Sequence, residues 1–159
     1  MRPVALASGI HRLGPENASL QVRTYREGMA AKVGHDLVIE VTRWDASADL
    51  TESTVELKVD ARSLEVREGL RGLKPLTDED RDEIRRNIDD KVLHGAPIAF
   101  RSTAVRLAEA DGRLVVDGEL AMAGNTRPIT AQLDVGTDGR VTGTVPLTQS
   151  EWGIKPSAA

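Results

Sequence analysis

Three histidines, His11, His35 and His94, are the side chains with most chemistry to offer in a 159-residue chain that contains no cysteine. They are too scattered to form a spaced ligand motif, and His35 with His94 would give a metal two ligands only, so neither a metal nor a cofactor is expected. Without cysteine there is no disulfide frame, thiolate zinc site, iron–sulfur cluster or thiol nucleophile. The sharpest local cluster is Gly34-His35-Asp36-Leu37, at the entry to a strand. His–Asp adjacency could orient an imidazole as a general base. The same residues also serve a plain strand entry, with Gly34 turning the chain and His35 or Asp36 bonding nearby backbone. G-x-S-x-G and H-E-x-x-H are absent, so the structural reading is favoured and no enzyme is expected.

Anion chemistry has two places to look. Gly124-Asn125-Thr126-Arg127-Pro128 combines a glycine, a turn former and a cation, but it reads as a hairpin turn entering a strand. Gly136-Thr137-Asp138-Gly139 reads the same way. No Walker loop or dinucleotide fingerprint occurs, and the βαβ setting either needs is missing. With 21 Lys and Arg against 25 Asp and Glu, the net charge is −4, which disfavours phosphate backbones. Tyr25, Trp44, Phe100 and Trp152 are too few to build a base-stacking platform, so no nucleic-acid partner is expected. No run approaches the roughly 20 apolar residues of a membrane span. The apolar patch Val4–Ala7 is broken by Gly9, His11, Arg12 and Pro15 before a signal peptide could form, so a cytoplasmic location is expected.

The elements that must position these residues are mostly strands. Val55, Leu57 and Val59 alternate with Glu56, Lys58 and Asp60. Ala46, Ala48 and Leu50 face one way, Asp45, Ser47, Asp49 and Thr51 the other. Leu37, Ile39 and Val41 alternate in the opposite phase, so the pattern slips between Thr42 and Asp45, as a β-bulge in one long bent strand would produce. A second slip falls between Ser102 and Ala104, separating Ile98 and Phe100 from Val105 and Leu107. Further strands run over about 18–26, over Leu114–Met122, over Ile129–Val135 and over Val141–Leu147. Asp111-Gly112, Gly124-Asn125 and Asp138-Gly139 punctuate them as hairpin turns. One-sided apolar strands with so little helix predict an antiparallel barrel or sandwich.

Leu64 to Leu93 is the exception. Thr77 followed by Asp78, Glu79 and Asp80 is a helix start. Ile84, Ile88 and Val92 give a thin apolar stripe on a charged helix over about 78–92, ended by Gly95 and Pro97. Such a stripe suits a helix flanking a sheet edge or capping a barrel mouth, with residues 67–76 as an irregular approach. Residues 1–17 read as an N-terminal extension and 18–159 as one domain.

On the apolar faces, aliphatics mix with Ala46, Ala48, Gly118, Ala131 and Gly143, and Phe100 is the one ring expected to point inward. An eight-stranded barrel lined this way either fills its own interior or keeps an elongated apolar cavity; the residues alone leave both open.

The order of these features resembles the YceI-like family over roughly residues 17–156. The matching pieces are the strand pair Leu37–Val41 and Trp44–Leu50, the run Val55-Glu56-Leu57-Lys58-Val59-Asp60-Ala61-Arg62-Ser63-Leu64, the proline-led strand Ala96-Pro97-Ile98-Ala99-Phe100-Arg101-Ser102, the hairpin Val115 to Ile129 with Gly124-Asn125-Thr126-Arg127-Pro128 at its tip, and the closing Ser150-Glu151-Trp152-Gly153-Ile154. The resemblance implies a lipocalin-like antiparallel β-barrel that binds a long isoprenoid or similar amphiphile without catalysis, as a carrier or a sequestering protein. An apolar or amphiphilic lipid, isoprenoid- or quinone-like, is then the expected partner. Carried onto the apolar faces here, the lining falls to Val22, Ile39, Val41, Leu57, Val59, Ile98, Phe100, Val116, Leu133 and Val145, with Ile84 and Ile88 closing one end.

The sequence departs from the family at three places. Gly95-Ala96-Pro97 stands where a lysine–tyrosine–proline is common, and Gly34-His35-Asp36-Leu37 resembles a variant branch. The family adds a strand after its Gly-Ile signature, whereas this sequence stops five residues past Ile154, so the barrel is expected to lack its last strand and a second copy is a candidate to pair with the open edge. Two other functions stay open from the sequence: an interaction or stress-related module with a filled barrel, and an enzyme using His35 and Asp36.

Overall fold

The computed structural model describes residues 9–24, 36–49, 51–70, 76–108, 112–136 and 140–154. Among these residues ten strands form two antiparallel sheets: β1 (Ile10–Leu13), β2 (Gln21–Thr24), β3 (Asp36–Val41), β4 (Trp44–Asp49), β5 (Thr54–Val59), β6 (Leu64–Leu70), β7 (Ile98–Ala108), β8 (Arg113–Met122), β9 (Asn125–Val135) and β10 (Val141–Gly143). The larger sheet runs β1-β4-β5-β7-β8-β9-β10 and the smaller β2-β3-β6. Together they curl into a half-barrel, mainly β as the alternation predicts.

The phase slip between Thr42 and Asp45 is a change of sheet, which corrects the expectation of a bulge in one bent strand. β3 lies in the small sheet and β4 in the large one, so the chain turns over at Thr42-Arg43. Ser63 pins this corner. Its carbonyl accepts from Thr42 N–H at 2.8 Å and from Thr42 Oγ1 at 2.9 Å. Its own hydroxyl, 2% exposed, lies 2.8 Å from the Asp60 carbonyl and 3.0 Å from that of Arg43. A corner exposes backbone polar groups on both arms, and a buried serine satisfies them without leaving the core. The β3–β6 pair has its own bulge at Val38/Ile39, where Arg67 is the extra residue on β6. The second slip is a bulge as expected, between Ser102 and Ala104. There the Ser102 hydroxyl accepts from Val55 N–H at 2.8 Å, just beyond the last β5–β7 backbone pair.

Residues 64–70 are a strand, β6, not the opening of a helical excursion. Leu64 and Val66 are buried while Glu65 and Arg67 are exposed, a period of two that Gly69 and Gly72 cut too short to read in the sequence. The helix does begin at Thr77, whose Oγ1 accepts from Asp80 N–H at 3.1 Å while the Asp80 carboxylate accepts from Thr77 N–H at 3.0 Å. α1 covers Asp78–Asn87, and a wider π turn carries on over Ile88–Leu93. That turn leaves Ile84, Ile88 and Val92 half-buried and puts Leu93 deepest, at 2% exposed. His94 and Gly95, at φ 53 and 72, stop it. The helix packs on edge strand β6, a flank rather than a lid.

At the β8–β9 hairpin the turn residues are Ala123 and Gly124, at φ 53 and 81, one position earlier than expected. Asn125 is thereby the first residue of β9, and its side chain is free for another task. β10 stops at Gly143, short of the expected Leu147. Asp111, Asp138 and Gly139, named as turn residues from the sequence, lie outside the described residues.

The core has two lobes. One gathers Ile39, Val41, Val59, Ala61, Leu64, Val66 and Leu93 from the corner and the helix. The other gathers Phe100, Leu114, Val116, Leu120, Trp152 and Ile154. Leu57, Val92, Ile98 and Met122 pack against both, so the two lobes form one continuous interior.

Candidate functional site: the inner wall of the half-barrel

Register decides which side chains share the inner face, because residues directly opposite on neighbouring strands project the same way. Leu13 lies opposite Ala46, Ala46 opposite Leu57, Leu57 opposite Phe100 and Phe100 opposite Leu120, one row across five strands. A parallel row starts at His11 opposite Ala48 and Ala48 opposite Val55. On β9 and β10 the inner residues include Ile129, Ala131, Leu133 and Val135, with Val141 opposite Val135. In the small sheet Val22 lies opposite the buried Ile39.

The twelve residues expected from the sequence to line a ligand space divide by depth. Ile39, Val41, Val59, Phe100 and Val116 are buried core. Leu57, Ile84, Ile88, Ile98 and Leu133 are half-buried and pack against that core. Val22 is 36% exposed at an edge strand of the small sheet. Val145 is half-buried in the segment after β10 and belongs to neither lobe. The structure thus brings ten of these residues into one apolar interior, and where they lie deepest the space is filled by protein.

Among the five large apolar side chains exposed in the described residues, Leu13 (40%), Val22 (36%) and Val141 (37%) all face inward by register. They stand at the margins of the wall, on β1, β2 and β10, where no further strand covers them among the described residues. Beside them the wall is lined by small side chains, Ala46, Ala48 and Ala131, each half-buried. Exposed apolar side chains concentrated on one concave face are what an apolar guest would cover.

The outer face is different chemistry. A cleft of 450 Å³ is bounded by Arg113, Gln132, Asp134, Thr142, Gly143 and Thr144, with Arg113 and Asp134 3.7 Å apart. A second, of 670 Å³, lies not on that face but at the sheet-switch corner, among Thr42–Asp45, Lys58–Ala61, Pro15, Gly95 and Pro97, and reaches the core residues Val59 and Ala61. It carries two cations and two acids, and Arg43 is already committed to Asp60 at 3.0 Å. The Arg62 N–H bond to its carboxylate, with help from Arg43, holds Asp60 below the usual carboxylate range. Asp117, on β8, accepts from Thr130 Oγ1 at 2.6 Å and from Arg106 at 3.1 Å, and these depress its pKa likewise. Both acids are exposed ladder and corner partners, and neither is poised for proton transfer near neutral pH.

His35 lies outside the described residues, and of Asp36 only the backbone, opening β3, is described. His94 is exposed and far in sequence from His11 on β1. Among the described residues no group of three or more metal-ligating side chains forms, and no helix is long and apolar enough to cross a membrane.

Sequence reasoning missed Trp152 as core. It is 1% exposed, its Nε1 donates to the Leu120 carbonyl at 2.9 Å, and its own carbonyl accepts from Asn125 Nδ2 at 2.7 Å. Gly153 follows at φ 76, and a Cβ there would sit 3.1 Å from Asn125 Nδ2. Two sequence motifs, the Gly124-Asn125 hairpin and Trp152-Gly153-Ile154, are therefore one contact. Only the short 3-10 turn at Gln149–Trp152, which has no periodicity to read, carries Trp152 there.

Comparison with known proteins agrees with this architecture. Among solved structures, Burkholderia cenocepacia BcnA superposes with a TM-score of 0.55 at 16% identity, over 74% of this chain and 72% of that one. A mutant CJ YceI protein carrying a monobromobimane guest is also found, at TM-score 0.45 and 9% identity, over 94% of this chain and 74% of that one. No curated protein matches by sequence. The YceI-like domain model matches residues 13–159, and by that match this chain belongs to the YceI-like family.

Proposed function

We propose that this protein binds an apolar or amphiphilic small molecule, of the isoprenoid or quinone kind, against the inner wall of its half-barrel, and that it carries or sequesters that molecule without chemical change. The observation that carries the reading is the placement of Leu13, Val22 and Val141: three of the five large apolar side chains exposed among the described residues face inward by register, beside Ala46, Ala48 and Ala131. Membership in the YceI-like family, whose barrels bind hydrophobic ligands, supports it. The wall offers apolar area and few polar handles, so affinity comes from buried area, about 25 cal/mol per Å² before ordering costs. Both clefts carry balanced charge and favour no acidic head group. A neutral guest fits best.

Native mass spectrometry of freshly purified protein, followed by solvent extraction, tests this. A discrete adduct of isoprenoid or quinone mass is expected, and Ala131→Leu, which adds bulk to the half-buried wall, should reduce its occupancy several-fold. A clean apo mass, together with no uptake of added farnesol or ubiquinone-1, overturns the reading in favour of a module with a filled interior.

A further inference from the structure

The second core lobe has two buried members that do not come from the sheet. Trp152 and Ile154 enter it from a turn that follows Thr144–Thr148, a run with no ladder partner among the described residues and with Leu147 44% exposed. Among the described residues, two side-chain hydrogen bonds hold the turn to the sheet, Trp152 Nε1 to the Leu120 carbonyl and Asn125 Nδ2 to the Trp152 carbonyl, and both go to the same hairpin. The remaining backbone bonds of the turn, from Glu151, Gly153 and Ile154, are internal to it. The indole thus occupies the inner wall beside Phe100, Val116 and Leu120 as a side chain on a tether, whereas Phe100, Leu114, Val116 and Leu120 are fixed by strand pairing.

Resting on the reading that the inner wall takes an apolar guest, we propose that the Gln149–Ile154 turn is a displaceable plug, and that the guest which replaces Trp152 is an apolar chain or ring bearing a hydroxyl, whose O–H donates to the Leu120 carbonyl in place of the indole N–H. Size sets the chain. A buried tryptophan removes about 150–250 Å² from water, which a linear chain matches with roughly five to eight methylenes. Chemistry sets the head, because a guest without a donor leaves the bond to Leu120 unreplaced. Release of the plug also exposes Ile154, so the guest must cover area that two side chains now cover. Binding is therefore coupled to a change in the outline of the protein at this end of the sheet, and the bound and empty states differ in what they present to solvent.

The test uses the full chain with Trp44→Phe, which leaves Trp152 as the one tryptophan. The probes are 1-decanol and decyl methyl ether, with adducts counted by native mass spectrometry and the Trp152 emission maximum followed in parallel. The expected result is a 1-decanol adduct with a red shift of the emission as the ring leaves the core, and weaker binding of the ether by about fivefold. Asn125→Ala, which cuts one tether, should tighten 1-decanol by a similar factor, with circular dichroism confirming the fold. A 1-decanol adduct with unchanged emission overturns the plug while leaving the binding reading intact. No adduct with either probe, nor with the isoprenoid guests, overturns both.

Discussion

The indole Nε1 of Trp152 meets the Leu120 carbonyl at 2.9 Å, whereas that of Trp44, equally shut from solvent, meets no acceptor among the described residues. The two tryptophans should therefore respond differently to loss of the N–H. Trp152→Phe loses a satisfied buried bond and leaves a gap, at a cost of about 2–3 kcal/mol. Trp44→Phe loses area but also an unpaired donor, and should change stability by less than about 1 kcal/mol. Urea unfolding of both variants measures the contrast.

Gly118 lies under the ring of Phe100. A Cβ there would stand 2.5 Å from Phe100 Cζ and also meet the Arg101 carbonyl. The ring has some freedom, but the β7 backbone carries ladder bonds and has little. Gly118→Ala should cost roughly 1–3 kcal/mol, seen as a fall of several degrees in Tm.

Ser53 holds φ 57 at an exposed turn between β4 and β5. A left-handed conformation is expensive for most L-residues and cheaper for asparagine. Ser53→Asn should stabilise by about 0.5–1 kcal/mol in the same unfolding assay, with no change in guest binding.

Asp60 and Asp117 both have depressed pKa values in the folded state, Asp60 chiefly through the Arg62 N–H and Asp117 chiefly through the Thr130 hydroxyl. A depressed carboxylate contributes stability above its unfolded pKa and loses it as pH falls through the folded one. Urea midpoints should hold steady from neutrality down to about pH 4 and then decline. Asp117→Asn should flatten that decline in part.

The period-two pattern made most of the strands legible, because one face of each is dry and the other wet. β8 shows why: Leu114, Val116 and Leu120 are all buried, as their spacing requires. The Ser102–Ala104 bulge was equally plain, since a bulge shifts phase within one pair of strands. The slip at Thr42 was visible but ambiguous, because a corner between sheets shifts phase in the same way. β6 was hidden by its glycines and β1 by its brevity at a polar margin. Of the site, the apolar faces were readable and their depth was not. Depth depends on which face curls inward and on what covers it, and Trp152 covers it from a turn whose sequence announces nothing but a motif.

The order of strands in the large sheet also has a consequence for how the chain reaches this state. The meander β7–β8–β9–β10 and the hairpin β4–β5 are each built from neighbours in sequence, so they can form early and locally. The seam that joins them pairs Glu56 with Arg101 and Val59 with Ile98, across a loop of about forty residues that includes β6 and the helix. Two half-sheets with apolar faces must therefore wait for one slow closure. In that interval the flanks of β5 and β7, both alternating and carrying β-branched residues, are unpaired edges of the kind that can pair with a neighbouring chain.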